Sequence, residues 1–183
     1  FSVYVINSLD DLRLNNTLAS LKKTTPQSLI NNLTIIPERN TREDTLNYIL
    51  TQETTDDLLI VADDIIFIEN WFEDLQKNYE SAGIFGFTTL YPNTDIVQDH
   101  GYDFVTIDGE LSYEAYHKNI PFQDSGITCS RECSSVCGCV MYIKRDVISL
   151  VNKIPPEGNN RIGEMIFSKL ARDKGQVTKV LSS

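Results

Sequence analysis

The run Leu58-Leu59-Ile60-Val61-Ala62, cut off by Asp63-Asp64, limits what this chain can become more than any other feature. Five consecutive apolar residues without polar alternation read as a strand covered on both faces. Two similar runs come earlier, Val3-Tyr4-Val5-Ile6, which ends at Asn7-Ser8, and Leu33-Thr34-Ile35-Ile36. Between them Leu14, Leu18 and Leu21 recur at helical spacing, and Thr24-Thr25-Pro26 ends that helix, because proline disfavours helix at the residue before it. Thr41-Arg42-Glu43-Asp44 resembles a capping box with Asp in place of the usual Glu or Gln, and Leu46, Ile49 and Leu50 follow as an apolar face. Trp71, Leu75 and Tyr79 stand at i, i+4 and i+8 on the next helix, a spacing that makes Trp71 a core residue rather than a sugar platform. This alternation predicts an α/β fold: a mostly parallel, Rossmann-like central sheet with flanking helices, in a single domain. Such sheets bind ligands beyond the carboxyl ends of their strands, where Asn7, Ser8, Glu38, Arg39, Asp63 and Asp64 fall.

The second half reads differently. Ile84-Phe85-Gly86-Phe87 is a further strand, and residues 92–138, rich in Asn, Asp, Gly and Ser, read as short strands and long loops that offer a functional surface. Val140-Met141-Tyr142-Ile143 is a strand, and Asp146 is expected to cap a helix bearing Val147, Leu150, Val151 and Ile154. Pro155-Pro156-Glu157-Gly158 breaks it. A last helix carries Ile162, Ile166 and Leu170, starts near Arg161 and stops at Gly175, and Val177-Thr178-Lys179-Val180 is a final strand.

Sixteen Lys and Arg against 26 Asp and Glu leave a net charge of −10, which argues against duplex DNA or an anionic membrane as a partner and suits a site for a divalent cation. No apolar run approaches the roughly 20 residues of a membrane span. The chain begins at Phe1 without a signal-peptide pattern, which is compatible with a fragment of a longer protein, and its expected location is the cytoplasm. The sequons at Asn15 and Asn32 are too common by chance to argue for secretion. Four cysteines crowd into one stretch, Cys129, Cys133, Cys137 and Cys139, with a spacing unlike the C-x2-C pairs of structural zinc sites. They read as reduced thiols around a strand, with a disulfide or zinc as the alternatives.

Adjacent carboxylates at a strand end face opposite ways, so Asp63-Asp64 serves either a hard cation or a solvated, helix-capping turn. At this point the chain resembles the nucleotide-diphospho-sugar glycosyltransferases of the GT-A fold, of family 2 type. The opening strand Val3 to Ser8, the segment Leu59 to Ile65 set against the family's DxD strand, and Trp71-Phe72 near the next helix carry the resemblance. Val97-Gln98-Asp99-His100-Gly101-Tyr102-Asp103-Phe104, Gly138 to Arg145 and Gly163-Glu164 to Gly175 continue it in the family's order. The Ala62-Asp63-Asp64 variant is similar to that of viral, capsid-modifying members, which would make the cytoplasm that of a host.

The resemblance implies a GT-A domain over residues 1–183, with residues 1–90 binding the nucleotide-sugar and 91–183 the acceptor. It implies Mn2+ or Mg2+ held by Asp64 with Asp63, and a donor, expected to be a UDP-sugar, contacted by Asn7, Ser8, Glu38, Arg39, Arg42, Asp63 and His100. A glycan or glycoprotein hydroxyl would be glycosylated with inversion. Glu164 is the expected base, with Asp99, Asp103 and Asp124 as further candidates. Each has a plainer reading: Glu164 as an acid favoured by a helix dipole, the arginines as helix-surface groups, His100 and His117 as exposed loop residues. The chain also departs from the family. Ala62 replaces the first Asp of DxD, Pro37-Glu38-Arg39-Asn40 replaces the acidic end of the second strand, one acid replaces the closing pair, and no His follows His117. A nucleotidyltransferase, or a non-catalytic sugar- or nucleotide-binding module, are the alternatives. Asn7-Ser8-Leu9-Asp10-Asp11 lacks the glycine-rich loop the former needs.

Overall fold

A computed structural model describes residues 1–8, 10–52, 55–107, 109–127, 129–151, 153–155 and 163–182. The break at Pro156-Glu157-Gly158, the helix start near Arg161 and the helical position of Ile162 lie outside the described residues.

The chain lays down β1 (Ser2–Asn7), α1 (Asp11–Thr24), β2 (Asn32–Pro37), α2 (Arg42–Thr51), β3 (Leu58–Ala62), α3 (Trp71–Asn78) and β4 (Ile84–Phe87). There follow β5 (Thr89–Leu90), β6 (Val97–Asp99), β7 (Tyr102–Ile107), β8 (Glu110–Ala115), β9 (Arg131–Glu132), β10 (Val140–Ile143), α4 (Arg145–Leu150), α5 (Gly163–Asp173) and β11 (Thr178–Leu181). Local chemistry sets the helix starts. Asp10 caps α1 by accepting the N–H groups of Leu12 and Arg13 at 3.1 Å. Thr41 caps α2 by accepting the Asp44 N–H at 3.0 Å, as the capping pattern foretells. Asp146 is not the cap of α4. It sits inside the first turn, with Lys144 in the cap position, and its carboxylate accepts the N–H of Val147.

Seven strands form the central sheet in the order β2-β1-β3-β10-β4-β11-β9. β1 is parallel to β2 and β3, and β4 is parallel to β11. β10 runs antiparallel to both β3 and β4, so those two share a direction and five of the seven strands point the same way. The result is a mostly parallel sheet flanked by helices, the α/β single domain that the alternation predicts.

Alternate residues of each strand feed two cores. Tyr4, Ile6, Leu58, Ile60, Met141 and Ile143 pack with Leu46 and Ile49 of α2, Val147 of α4 and Phe167 of α5. Val3, Val5, Leu59, Val61, Phe85 and Tyr142 pack with Leu14 and Leu21 of α1 and with Trp71 and Leu75 of α3. Trp71 is a core residue, 2% exposed, in tilted contact with Phe67 and edge-to-face contact with Phe72 and Phe87, its indole N–H donating to Thr24.

At the sheet edge opposite the carboxyl ends, Asp57 ties four elements. Its carboxylate accepts the hydroxyls of Tyr79 and Tyr142 at 2.7 Å and the Arg145 N–H at 2.8 Å, while its carbonyl accepts the Ser2 N–H.

Short strands joined by long loops occupy 92–138, as expected, and two of the strands form a regular hairpin. β7 and β8 pair residue for residue from Tyr102–Ala115 to Ile107–Glu110, around a turn where Gly109 takes φ +86°. The bond from Tyr116 N–H to the Gly101 carbonyl closes the base of this hairpin. No helix among the described residues is long and apolar enough to cross a membrane.

Candidate functional site

Parallel register brings three strand ends level. Asn7 stands opposite Pro37, and Ile6 opposite Ala62, so Asn7, Ser8, Glu38, Arg39, Asp63 and Asp64 gather at one edge of the sheet. The two aspartates then diverge. Asp63 is 4% exposed, and its carboxylate accepts the Ser8 N–H at 2.7 Å and the Ser8 hydroxyl at 2.8 and 3.0 Å. Its carbonyl accepts the Thr17 hydroxyl at 2.8 Å, so Asp63 fastens the exits of β1 and β3 to α1. Asp64 is exposed and opens into a cleft of about 490 Å³ lined by residues 64–68, Trp71, residues 87–94, Gln98, Cys139 and Val140.

Because β10 runs against β3, its first residues arrive at this same edge, where the Ala62 N–H donates to the Cys139 carbonyl at 2.7 Å. Gly138 precedes it. A Cβ there would lie 2.9 Å from the carboxyl carbon of Glu164, so the Glu164 carboxylate rests on the spot a side chain would fill. Glu164 belongs to the first turn of α5, and Gly163 beside it packs on α2, where an added Cβ would meet the Glu43 backbone nitrogen at 3.2 Å. The first turns of α2 and α5 therefore meet. Glu43 is 4% exposed, and its Oε1 makes no hydrogen bond. The sequence marks Glu43 only as part of a capping pattern. What could have drawn attention to it is an acid inside a first turn that an apolar face follows closely.

The other nominated side chains scatter, those of Glu38 and Arg39 included although their backbone follows the end of β2. Arg39 is exposed, its guanidinium 3.8 Å over the Tyr48 ring, and it lines a second cavity of about 450 Å³ along α2 with Asn40, Asp44 and Asn47. Glu38 is exposed, and Arg42 opens α2 with its side chain outside the description. Asp103 is engaged by Arg131 at 3.0 Å and by the Ser134 N–H at 3.1 Å. Asp124 is exposed in a 3-10 turn.

Asp99 and His100 are buried, at 1% and 2% exposure, which corrects the plainer reading of His100 as an exposed loop residue. Burial pushes the Asp99 carboxyl up, against the Tyr102 hydroxyl, the Gly101 N–H and two cations, which favour its charged form. The Thr88 hydroxyl donates to the Leu181 carbonyl at 2.7 Å, so it accepts from His100 Nδ1–H at 2.9 Å, which fixes the tautomer. Burial, with Arg131 and His117 nearby, lowers the His100 pKa to about 4. His117, half-buried at φ +55°, lies 5.9 Å from it ring to ring.

None of the four cysteines is in a disulfide bond. Among the described residues no group of three or more His, Cys, Asp and Glu is placed to hold a metal ion.

No protein-family model matches the chain, and no curated protein matches it in sequence. Solved structures do. A197 from STIV is similar over the whole of this chain and 82% of its own, at 18% identity and a TM-score of 0.57. S. aureus TarS, residues 1–349, is similar over the whole of this chain and 58% of its own, at 14% identity and a TM-score of 0.61. The likeness is one of fold, and the fold is glycosyltransferase-like, of the GT-A kind.

Proposed function

We propose that this chain is a glycosyltransferase, moving a sugar from a nucleotide-diphospho-sugar, most simply a UDP-sugar, to a hydroxyl of a glycan or glycoprotein. One observation carries the reading. An exposed acid just past β3, Asp64, shares a cleft with Cys139, and an acid a hundred residues later, Glu164, sets its carboxylate against the adjoining Gly138 at the carboxyl edge of a GT-A-like sheet. The fold likeness to TarS, a GT-A-type glycosyltransferase, supports it.

The donor set suits a hard cation. Mg2+ and Mn2+ commonly take one or two protein carboxylates and complete their shell with substrate phosphates and water, so a single exposed carboxylate fits. In this reading Asp64 holds the ion and Asp63, which also fixes Ser8, stands behind it. When bound, the ion offsets the charge that gathers on the departing diphosphate. Asn7 and Ser8 face the nucleotide from the end of β1, with Glu38, Arg39 and Arg42 beyond β2. Glu164 takes the acceptor proton at a carboxylate oxygen as the oxygen–anomeric carbon bond forms and the bond to diphosphate breaks, inverting that carbon. The first turn of α5 favours the ionised state a base requires. In this reading the acceptor enters the cleft, which draws its lining from both halves of the chain: Ile66, Ile68 and Leu90, 59%, 61% and 40% exposed, from the first, and residues 91–94, Gln98, Cys139 and Val140 from the second.

The test is UDP release and acceptor glycosylation across a panel of nucleotide sugars, with Mn2+ and with EDTA. Transfer that requires metal, falls sharply in Asp64→Asn and drops about 10²–10⁴-fold in Glu164→Gln with donor affinity kept would support the assignment. Metal-dependent binding without turnover would favour a non-catalytic module, a reading that Ala62 at the first DxD position sustains. Release of pyrophosphate would make the chain a nucleotidyltransferase.

A further inference from the structure

Cys137 and Cys139 flank the glycine that the Glu164 carboxylate rests on, and their sulfurs lie 2.9 Å apart. Among the described residues this is the one thiol–thiol contact. Both are half-buried, and Cys139 lines the cleft together with Asp64. The remaining two thiols differ: Cys129 is exposed, while Cys133 is buried and its thiol is pushed up to about 12 by that burial. A disulfide bond is about 2.0 Å long, so the pair needs to close by less than about 1 Å, within the reach of side-chain rotation on either side of a glycine. The segment is also mechanically coupled to the site, since the Cys139 carbonyl accepts from Ala62, one residue before Asp63.

We propose that Cys137 and Cys139 form a thiol–disulfide exchange site at the cleft, which takes small disulfides of the glutathione class as its oxidant. The Cys139 sulfur, reached through the cleft, loses its proton and attacks one sulfur of the oxidant. The oxidant's S–S bond breaks and one thiolate leaves, taking up a proton. The Cys137 thiol gives its proton to water, and its sulfur attacks the mixed disulfide and expels the second thiolate. Two protein thiols are oxidised to one disulfide, and one small disulfide is reduced to two thiols. The new bond shortens the span across Gly138 and shifts the surface that holds the Glu164 carboxylate. On the transferase reading, on which this last consequence rests, the oxidised form is the slow one.

The whole chain is equilibrated in buffers of oxidised and reduced glutathione, quenched with acid, and analysed by intact mass and peptide mapping. The expected result is a loss of about 2 Da mapped to a Cys137–Cys139 link, reversed by dithiothreitol and absent in both Cys137→Ser and Cys139→Ser. A stable glutathione adduct without the link, a link to Cys129 or Cys133, or unchanged thiols at millimolar oxidised glutathione would each overturn the site. In a second arm, oxidation slows transfer by wild type roughly ten- to hundredfold, the scale on which small displacements at a reacting group act, and leaves the double variant Cys137→Ser, Cys139→Ser at its own reduced rate. Equal rates for both wild-type forms would overturn the regulatory consequence. A reduced protein with no transfer at all would refute the transferase reading instead, while the mass measurement still decides the exchange site.

Discussion

Gly138 shows how a single missing side chain can define a reacting group's place. Its Cβ would stand 2.9 Å from the Glu164 carboxyl carbon, the far end of a flexible side chain, so the backbone can stay while the carboxylate swings away. Gly138→Ala should therefore cost about 1 kcal/mol in a melting experiment, yet lower transfer about 100-fold. Equal losses in both would make the contact one of packing alone. His100 gives a different test. Its pKa is lowered to about 4, below the ordinary value near 6.5, because burial opposes the charged ring. As pH falls from 6.5 towards 4 the unfolded chain takes up a proton that the folded chain refuses, so this group's stability is held above that window and lost within it. Asp99, with its carboxyl pushed up, acts in the opposite sense, since there the folded form takes the proton first. The difference between wild type and His100→Gln isolates the histidine. It should shift against wild type on acidification by up to about 1.4 kcal/mol per pH unit, as read from urea midpoints at pH 7 and pH 5.

At the scale of elements, Asp57 joins β3, β10, α4 and the turn after α3 at the edge remote from the site. Asp57→Ala removes the acceptor for two hydroxyls and one N–H at once. It should cost roughly 2–4 kcal/mol while leaving donor affinity of the folded fraction unchanged, measurable by thermal melts alongside nucleotide titration. Strands buried on both faces were legible in the sequence for a physical reason. Leu58-Leu59-Ile60-Val61 and Val3-Tyr4-Val5-Ile6 have no polar face to confuse the period. Direction was not legible, because Val140-Met141-Tyr142-Ile143 carries the same pattern either way, and only the sheet shows it running backwards between β3 and β4. The β7–β8 hairpin was obscured by its half-exposed, mixed residues, although Asp108-Gly109 is a turn signal. The gathering of Asn7, Ser8, Asp63 and Asp64 at one edge followed from strand ends alone. The burial of Glu43 and the Gly138–Glu164 contact join residues far apart in the chain, and no local pattern encodes them.

For the molecule as a whole, each core draws on both ends of the chain: one runs from Tyr4 to Val180, the other from Val3 to Leu181. Unfolding should be a single transition. Fluorescence of Trp71, the one tryptophan, and far-ultraviolet circular dichroism should give coincident urea curves, and separated curves would mean that the halves melt independently. The hairpin lies outside this shared interior. Its arms pair with each other over six positions, its foot is clasped by Gly101 and Tyr116 and held by Tyr102 bridging Ser135, and Ile107 and Tyr113 towards its tip stand 56% and 46% exposed. Its reach is therefore adjustable. Trimming or adding about two residues per arm, the repeat of a strand, keeps every side chain on its own face and asks nothing of the sheet below. Such a finger can lengthen or shrink over evolutionary time while the chemistry at the strand ends stays as it is.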